Sequence, residues 1–172
     1  METLCLKTLY VLFFIEIGTR RIHLAACTLH PSTAWVAQQA RQLVWNLQEE
    51  GRVKRFLLHD HDAKFSSSFN TVFASEGIEV VLTPYRAPNA NAFAERWVRS
   101  VREECLDHLL IFNERHLDDV LREYSQYYNC ARPHQGLRQQ IPESLNRQPG
   151  QGAVQRRNIL GGLIHDDYRA AA

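Results

Sequence analysis

The stretch FLLHDHDAKFSSSFNTVFASEGIEVVL, residues 56–82, decides the fold of this chain. Its apolar start predicts a short strand over 56–58, and the spacing of the apolar residues that follow predicts a helix over 66–76. Gly77 suits the left-handed turn that ends a helix, and residues 78–82 predict a second buried strand. A strand, a helix and a strand in this order are typical of an α/β sheet with helices on its faces.

The chain before this stretch predicts a hairpin and a long helix. Residues 10–17 and 21–28 are apolar enough for two strands, and 18–20 suit the turn between them. Ser32 or Thr33 can cap a helix that continues to about Glu50, because apolar residues recur along it at helical spacing.

Two amphipathic helices are predicted further along, over about 92–109 and 114–129. Trp97 is expected in the core because apolar residues lie four positions before and after it. Residues 131–172 lack lasting periodicity and are expected to form a basic, partly irregular extension. The sequence therefore predicts an α/β fold, with a mixed sheet flanked by helices, over residues 1–130.

Length and composition fit one soluble globular domain. The chain has 172 residues, of which 45% are hydrophobic and 23% charged, which excludes a disordered or collagen-like class. A net charge of +1 neither demands nor excludes a polyanionic partner. The cysteines form no Cys-x-x-Cys pair, which excludes zinc-ribbon sites, and idle thiols favour the cytoplasm. The apolar run at 9–15 is too short to span a membrane, so neither insertion nor export is expected.

Acidic residues near the ends of two predicted elements are candidates for a metal site. Asp60 follows a strand, where its side chain can face a crevice, and Glu95 lies one turn into a helix. Two carboxylates from different elements are hard oxygen ligands that suit Mg²⁺ or Mn²⁺. An ordinary surface ion pair between Glu95 and Arg99 is the alternative, and the residue pattern leaves both interpretations open.

Four segments carry a resemblance to one protein family: RRIHLA (20–25), HDHDAKF (59–65), TPYRAPNANAFAERWVRSVREECLD (83–107) and ARPHQGLRQQIPES (131–144). In this order they resemble the core domain of DDE-type integrases and insertion-sequence transposases. The resemblance extends from about residue 9 to residue 143, and it includes a step of 35 residues from Asp60 to Glu95. Each motif alone is weak, but their order makes the resemblance specific.

The resemblance implies a ribonuclease-H-like fold, two divalent ions (Mg²⁺ or Mn²⁺), and cleavage and strand transfer on DNA. Asp60 and Glu95 fall on the second and third of the family's three catalytic, metal-holding acids. No aspartate precedes Asp60 in the sequence. We therefore expect the first acid and most of the first, central strand to be missing from an incomplete catalytic core over residues 1–130. That expectation leaves open whether the chain is an active enzyme.

Cations near these acids are the expected DNA contacts. Arg99 and Arg102 lie four and seven residues after the helical acid, on the same face, with Arg96 beside them. Such cations can hold phosphates, although solvation of a helix surface explains them equally well. Tyr85 and Arg86, on the loop before the helix, are candidates to stack on or bridge a DNA strand. The full predicted DNA-binding set is Lys64, Tyr85, Arg86, Asn91, Arg96, Arg99 and Arg102.

Other polar residues in these motifs have two interpretations each. Asp62 could supply an outer ligand to a metal or be a solvated turn acid. His59 and His61 lack partners at zinc-site spacing and are expected to be polar loop residues. Arg132 and His134 could contact DNA or pack against the helix that carries the acid, and the sequence does not decide.

The leading interpretation is a transposase or integrase core that acts on transposon ends and target DNA. It is expected to work as a homo-oligomer in the cytoplasm, with no membrane partner. A catalytically dead DNA-binding or oligomerising remnant of a transposase is the alternative. A ribonuclease-H-type or junction nuclease would keep the fold but change the substrate.

Overall fold

A computed structural model describes residues 1, 3, 7–84, 91–143 and 151–170. Its strands and helices in chain order are β1 (Tyr10–Ile15), β2 (Ile22–Thr28), α1 (Thr33–Glu49), β3 (Phe56–His59), α2 (Ser67–Ala74), β4 (Glu79–Leu82), α3 (Ala92–Glu104), α4 (Glu114–Cys130), β5 (Val154–Ile159) and β6 (Ile164–Arg169). The predicted order of elements is found as far as α4. The chain divides into two compact units, Met1–Phe13 with Ala25–Ala92, and Phe14–Leu24 with Phe93–Ala172.

Helix α1 supplies much of the core of the first unit. The hydroxyl oxygen of Ser32 accepts a hydrogen bond from the Trp35 backbone N–H at 3.2 Å, which confirms Ser32 as the N-cap. Gly51, with φ +64°, follows the end of the helix in a conformation that disfavours side chains. The buried face of α1 consists of Val36, Ala37, Ala40, Leu43, Val44 and Leu47. This face packs against α2.

Strands β3 and β4 form a parallel pair, with register from Phe56 opposite Glu79 to His59 opposite Leu82. Helix α2 connects the two strands and packs on β4. Phe69 is fully buried, as the apolar spacing of α2 predicts. The β–α–β arrangement places the residue after β3 at the carboxyl end of a parallel pair, where sites form in α/β folds.

Helices α3 and α4 belong to the second unit. Trp97 on α3 is 2% exposed, so its expected place in the core is confirmed. The helix ends at Glu104, earlier than predicted, because Cys105 leaves helical geometry (φ −138°, ψ −70°) and starts a short 3-10 turn. Asn113 caps α4 by accepting the His116 backbone N–H at 2.9 Å.

Strands β5 and β6 form an antiparallel hairpin within the segment expected to be partly irregular. Most residues of the two strands are exposed or half-buried. Ion pairs join the strands, with Arg156 2.7 Å from Asp167. Ile159 is 4% exposed, and the Leu160 backbone N–H donates to Glu123 of α4 at 2.6 Å. The hairpin is therefore attached to α4 through its turn end.

Candidate functional site

Asp60 lies directly after β3, at the carboxyl end of the parallel pair, and its side chain is exposed. Its Oδ1 accepts the backbone N–H of Asp62 at 3.0 Å, which fixes the carboxylate over a tight turn. The strand position predicted for this acid is therefore observed. A carboxylate held here can bind a cation or a proton donor from solution.

Asp62 and Lys64 form hydrogen bonds and an ion pair with each other in the same turn. Asp62 Oδ1 accepts the Lys64 backbone N–H at 2.9 Å, and the Lys64 ammonium lies 3.1 Å from Oδ2. The Lys64 backbone N–H, helped by the ammonium group, holds the pKa of Asp62 below its usual value. The ammonium also lies 5.9 Å from the ring centroid of Tyr10. Lys64 thus has partners within the protein. If it also contacted DNA, its positive charge would be shared between the DNA and Asp62.

His59 differs from the expected polar loop residue. It is the last residue of β3 and is only 8% exposed, with its ring against Phe65 and Phe69 at centroid distances of 4.9 and 5.5 Å. Strand β3 is one residue longer than its run of apolar residues predicts, because the His59 imidazole packs against these two aromatic rings. His61 is exposed, and its Nε2 lies 3.0 Å from the Thr83 carbonyl oxygen.

Glu95 and three arginines occupy the solvent-facing side of α3. Glu95 lies in the first turn, where the helix dipole favours a negative charge, and Arg96 and Arg99 are exposed after it. Arg102 lies 3.6 Å from Asp107 in an exposed pair worth little. In the described part of the chain Glu95 and Arg99 form no ion pair, so the ordinary i, i+4 interpretation is not observed.

Arg20 packs against the first turn of α3. Its guanidinium lies 3.5 Å from the ring centroid of Phe93, two residues before Glu95. Arg20 itself has φ +65°, an uncommon conformation for a residue with a side chain. Burial lowers the pKa of Arg20, and the nearby Arg96 charge acts in the same direction. The hairpin turn thus brings a second cation close to Arg96.

The loop residues predicted to contact DNA are only partly described. Tyr85 and Arg86 lie outside the described residues. Asn91 directly precedes α3 and is half-buried.

Arg132 and His134 pack against α3 and α4, which resolves the alternative that the sequence leaves open. Arg132 Nε donates to Glu104 Oε2 at 3.0 Å, and the Tyr124 hydroxyl donates to the same oxygen at 2.9 Å. The hydrogen bond with Glu104 raises the pKa of Arg132, and burial raises the pKa of Tyr124. His134 Nε2 lies 3.1 Å from the Tyr128 carbonyl oxygen, inside the protein. Arg132 and His134 therefore make contacts within the second unit.

The described carboxylates do not by themselves make up a metal centre. Asp60 belongs to the first unit and Glu95 to the second. Among residues 1, 3, 7–84, 91–143 and 151–170, no group of three His, Cys, Asp or Glu side chains could hold a metal ion. Oxygen donors of the type that Mg²⁺ prefers are present, but not as a complete ligand set.

A groove of about 630 Å³ between α1 and α2 contains none of the predicted site residues. Its walls include Val44, Trp45 and Thr71, and the Gln48 amide donates to Glu76 at one side. Trp45 is 61% exposed there. The groove therefore lies apart from the residues that sequence analysis singled out.

Asn129 is a polar residue that sequence analysis missed. It lies on the buried face of α4, four residues after the buried Ser125 and eight after Leu121. Its side chain hydrogen bonds to both backbone groups of Ile22 at 2.8 Å. A polar residue on an otherwise apolar helix face is the signal that could have found it.

Comparisons with known proteins point to integrases. Residues 76–142 match the family model described as "Integrase core domain", a range that includes Glu95 but not Asp60. The fold is similar to the catalytic core domain of BIV integrase, with a TM-score of 0.57 and 14% identity over 83% of this chain and 86% of that one. It is also similar to a chain of the simian T-cell lymphotropic virus intasome in complex with PP2A regulatory subunit B56 gamma.

The intasome chain gives a TM-score of 0.56 and 11% identity, covering 94% of this chain and 65% of that chain. A comparison with curated proteins gives no significant match. The predicted ribonuclease-H-like α/β fold is confirmed by the structural matches, because integrase catalytic cores have that fold. Residues 76–142 of this chain are thus similar to an integrase core domain, and its fold is similar to that of integrase catalytic cores.

Proposed function

We propose that this chain acts on DNA as the core of an integrase or transposase, cleaving a strand and joining the freed 3′ end to target DNA. The observation that carries the proposal is α3. This helix lies in the segment that matches the integrase core and presents Glu95 to solvent with Arg96, Arg99 and Arg102. A carboxylate beside cations on one helix suits a phosphodiester that must be both held and attacked.

Asp60 is the proposed second catalytic acid. It is exposed at the carboxyl end of β3, where the Asp62 backbone N–H orients its carboxylate. In this proposal Asp60 and Glu95 serve together as two of the ligands of Mg²⁺ or Mn²⁺, with two ions expected from the family resemblance. Such ions activate an attacking oxygen and stabilise a leaving oxygen when they are bound. The described residues do not complete that ligand set.

The chain's own arginines have a role that needs no metal. Arg99 is exposed and has no ion-pair partner in the described part of the chain. Arg96 is exposed next to Arg20, so its charge is not neutralised there. We propose that these side chains bind phosphates of the DNA backbone and set its position relative to Glu95.

The proposed partners are DNA ends, target DNA and further copies of this chain. The similarity to a chain of a viral intasome supports this proposal. None of the helices among the described residues is both long and apolar enough to cross a lipid bilayer. A cytoplasmic location remains part of the proposal.

A second candidate function is DNA binding without catalysis. It is favoured by one specific observation: among the described residues, no group of three His, Cys, Asp or Glu side chains could hold a metal ion. In that case the arginines on α3 would still bind DNA.

Nicking of supercoiled plasmid DNA by the full chain separates these two functions. With Mg²⁺ or Mn²⁺ present, the integrase or transposase function predicts that wild type nicks the plasmid and that Asp60→Asn and Glu95→Gln do not. Wild type and the two variants should bind DNA with similar salt dependence. The second predicts salt-dependent binding and no nicking by any of them. Nicking at equal rates in wild type and both variants would overturn the assignment of the acids.

A further inference from the structure

The two histidines beside Asp60 are not used by the proposed function, yet both are held in defined positions. His59 is 8% exposed, and its imidazole packs between the rings of Phe65 and Phe69. A polar ring placed among aromatic rings in this way costs free energy unless its nitrogens have hydrogen-bond partners.

Both ring nitrogens of His59 have such partners. Nδ1 lies 2.6 Å from the Asp60 carbonyl oxygen, and Nε2 lies 3.0 Å from Oδ1 of Asn70 on α2. A carbonyl oxygen only accepts, so Nδ1 carries a proton and donates it, and Nε2 of a ring with one proton accepts from the Asn70 side-chain amide in the orientation that turns its Nδ2 toward the ring. The imidazole therefore joins the backbone of Asp60 to helix α2.

Backbone contacts complete the support on the other side of Asp60. The Thr83 backbone N–H donates to the His59 carbonyl at 2.9 Å, which extends the parallel ladder beyond β4. His61 Nε2 then donates to the Thr83 carbonyl at 3.0 Å. Asp60 thus lies between two residues that are each fixed to a neighbouring element.

We propose that His59 is a positioning residue for Asp60. Its Nδ1–H holds the Asp60 carbonyl, and its link to Asn70 prevents the ring from turning away. The exposed carboxylate then keeps the orientation that its Asp62 contact defines. This inference rests on the proposed function of Asp60 as a catalytic acid, because otherwise there would be no reaction for the position to serve.

Two amide variants separate positioning from packing. In His59→Asn the side-chain nitrogen falls near the place of Nδ1 and can reach the Asp60 carbonyl. In His59→Gln the longer chain reaches toward Asn70 instead. Both variants lose the ring packing, so a role in packing alone predicts that they behave alike. His30→Asn is the matched control, because His30 is exposed at the end of β2.

Nicking of plasmid DNA and the carbonyl carbon shift of Asp60 in NMR spectra of the full chain are the readouts. We expect His59→Asn and His30→Asn to retain the wild-type shift and rate. His59→Gln should change the shift and lower the rate by roughly 10- to 100-fold, since a small displacement of a catalytic group is costly. Equal Asp60 carbonyl shifts in the two His59 variants, or equal nicking rates of the two variants where wild type nicks DNA, would overturn the proposal.

Spectra of the wild-type chain labelled with ¹⁵N-histidine provide a test that needs no variant to fold. The proposal requires the His59 ring to carry a proton at Nδ1, and this proton should be protected from exchange. A ring without a proton at Nδ1 would refute it. If wild type does not nick DNA at all, the proposed function fails, whereas the Asp60 shift and the ring proton still report on positioning.

Discussion

Replacing Asn129 by alanine is the substitution with the clearest expected cost. The Asn129 side chain is 8% exposed. It hydrogen bonds to the backbone of Ile22 on β2, as the backbone of a neighbouring strand would. Its Oδ1 accepts the Ile22 backbone N–H at 2.8 Å, and its Nδ2 donates to the Ile22 carbonyl at 2.8 Å. Ile22 is 3% exposed, so water does not replace these bonds when the amide is removed.

The magnitude follows from the two groups left without partners. Each buried backbone group that loses its hydrogen bond costs about 1–3 kcal/mol of folding free energy. The higher helix propensity of alanine compared with asparagine offsets about 0.5 kcal/mol of this loss of folding free energy. Asn129→Ala should therefore lower the free energy of unfolding by about 2–5 kcal/mol, a large share of the ~5–15 kcal/mol typical of a domain.

Equilibrium unfolding in urea measures this change through the midpoint and the slope. Gln126→Ala is the matched control, since Gln126 is exposed on the same helix and should change the free energy of unfolding by no more than about 0.5 kcal/mol. A loss below about 1 kcal/mol in Asn129→Ala would refute the reasoning, because it would mean that Ile22 finds other partners.

Three further predictions concern DNA binding, thiol reactivity and pH. Arg99→Ala should weaken binding to unrelated DNA sequences equally and reduce the slope of log affinity against log salt by about 1, as measured by fluorescence anisotropy. Cys105 should resist iodoacetamide in the folded chain and react in urea, as followed by peptide mass spectrometry, because burial raises its pKa to about 12. Burial lowers the pKa of His134, so the free energy of unfolding should fall as pH drops below about 6.5, and less so in His134→Gln when urea midpoints are compared.

The sign of the last prediction follows from proton binding. The unfolded chain has the ordinary histidine pKa and takes up a proton first, so the stability present above that pH is lost as the pH falls toward the folded pKa. An equal pH dependence in wild type and His134→Gln would contradict it. An unchanged salt slope in Arg99→Ala would show that Arg99 does not contact phosphate. Alkylation of Cys105 at the same rate with and without urea would show that its thiol is accessible.

Apolar periodicity predicted the elements that have a buried face. The spacing along α1 and the place of Trp97 on α3 are recoverable from sequence because burial repeats at helical intervals. The position of Asp60 at the end of β3 follows in the same way from the apolar residues before it. The family resemblance added Glu95, which nothing in the periodicity distinguishes from other surface acids.

Features that depend on pairing between distant residues could not be predicted. Strand β5 is exposed except at Ile159, and β6 alternates between half-buried and exposed positions that are mostly polar residues, so the hairpin has no apolar alternation to detect. Their charges are matched only across the pair, as with Arg157 2.8 Å from Asp166. His59 looks like a loop residue in sequence, because its burial comes from rings on α2 and the preceding turn. Asn129 finds its partner, Ile22, more than a hundred residues away.

Joining of a labelled oligonucleotide 3′ end to supercoiled plasmid DNA tests the central claim most directly, because only strand transfer produces a labelled plasmid. With Mg²⁺ or Mn²⁺ present, we predict labelled plasmid with the wild-type full chain and none above background with the Asp60→Asn, Glu95→Gln double variant. Equal labelling by wild type and the double variant, or no labelling by wild type, would contradict the account.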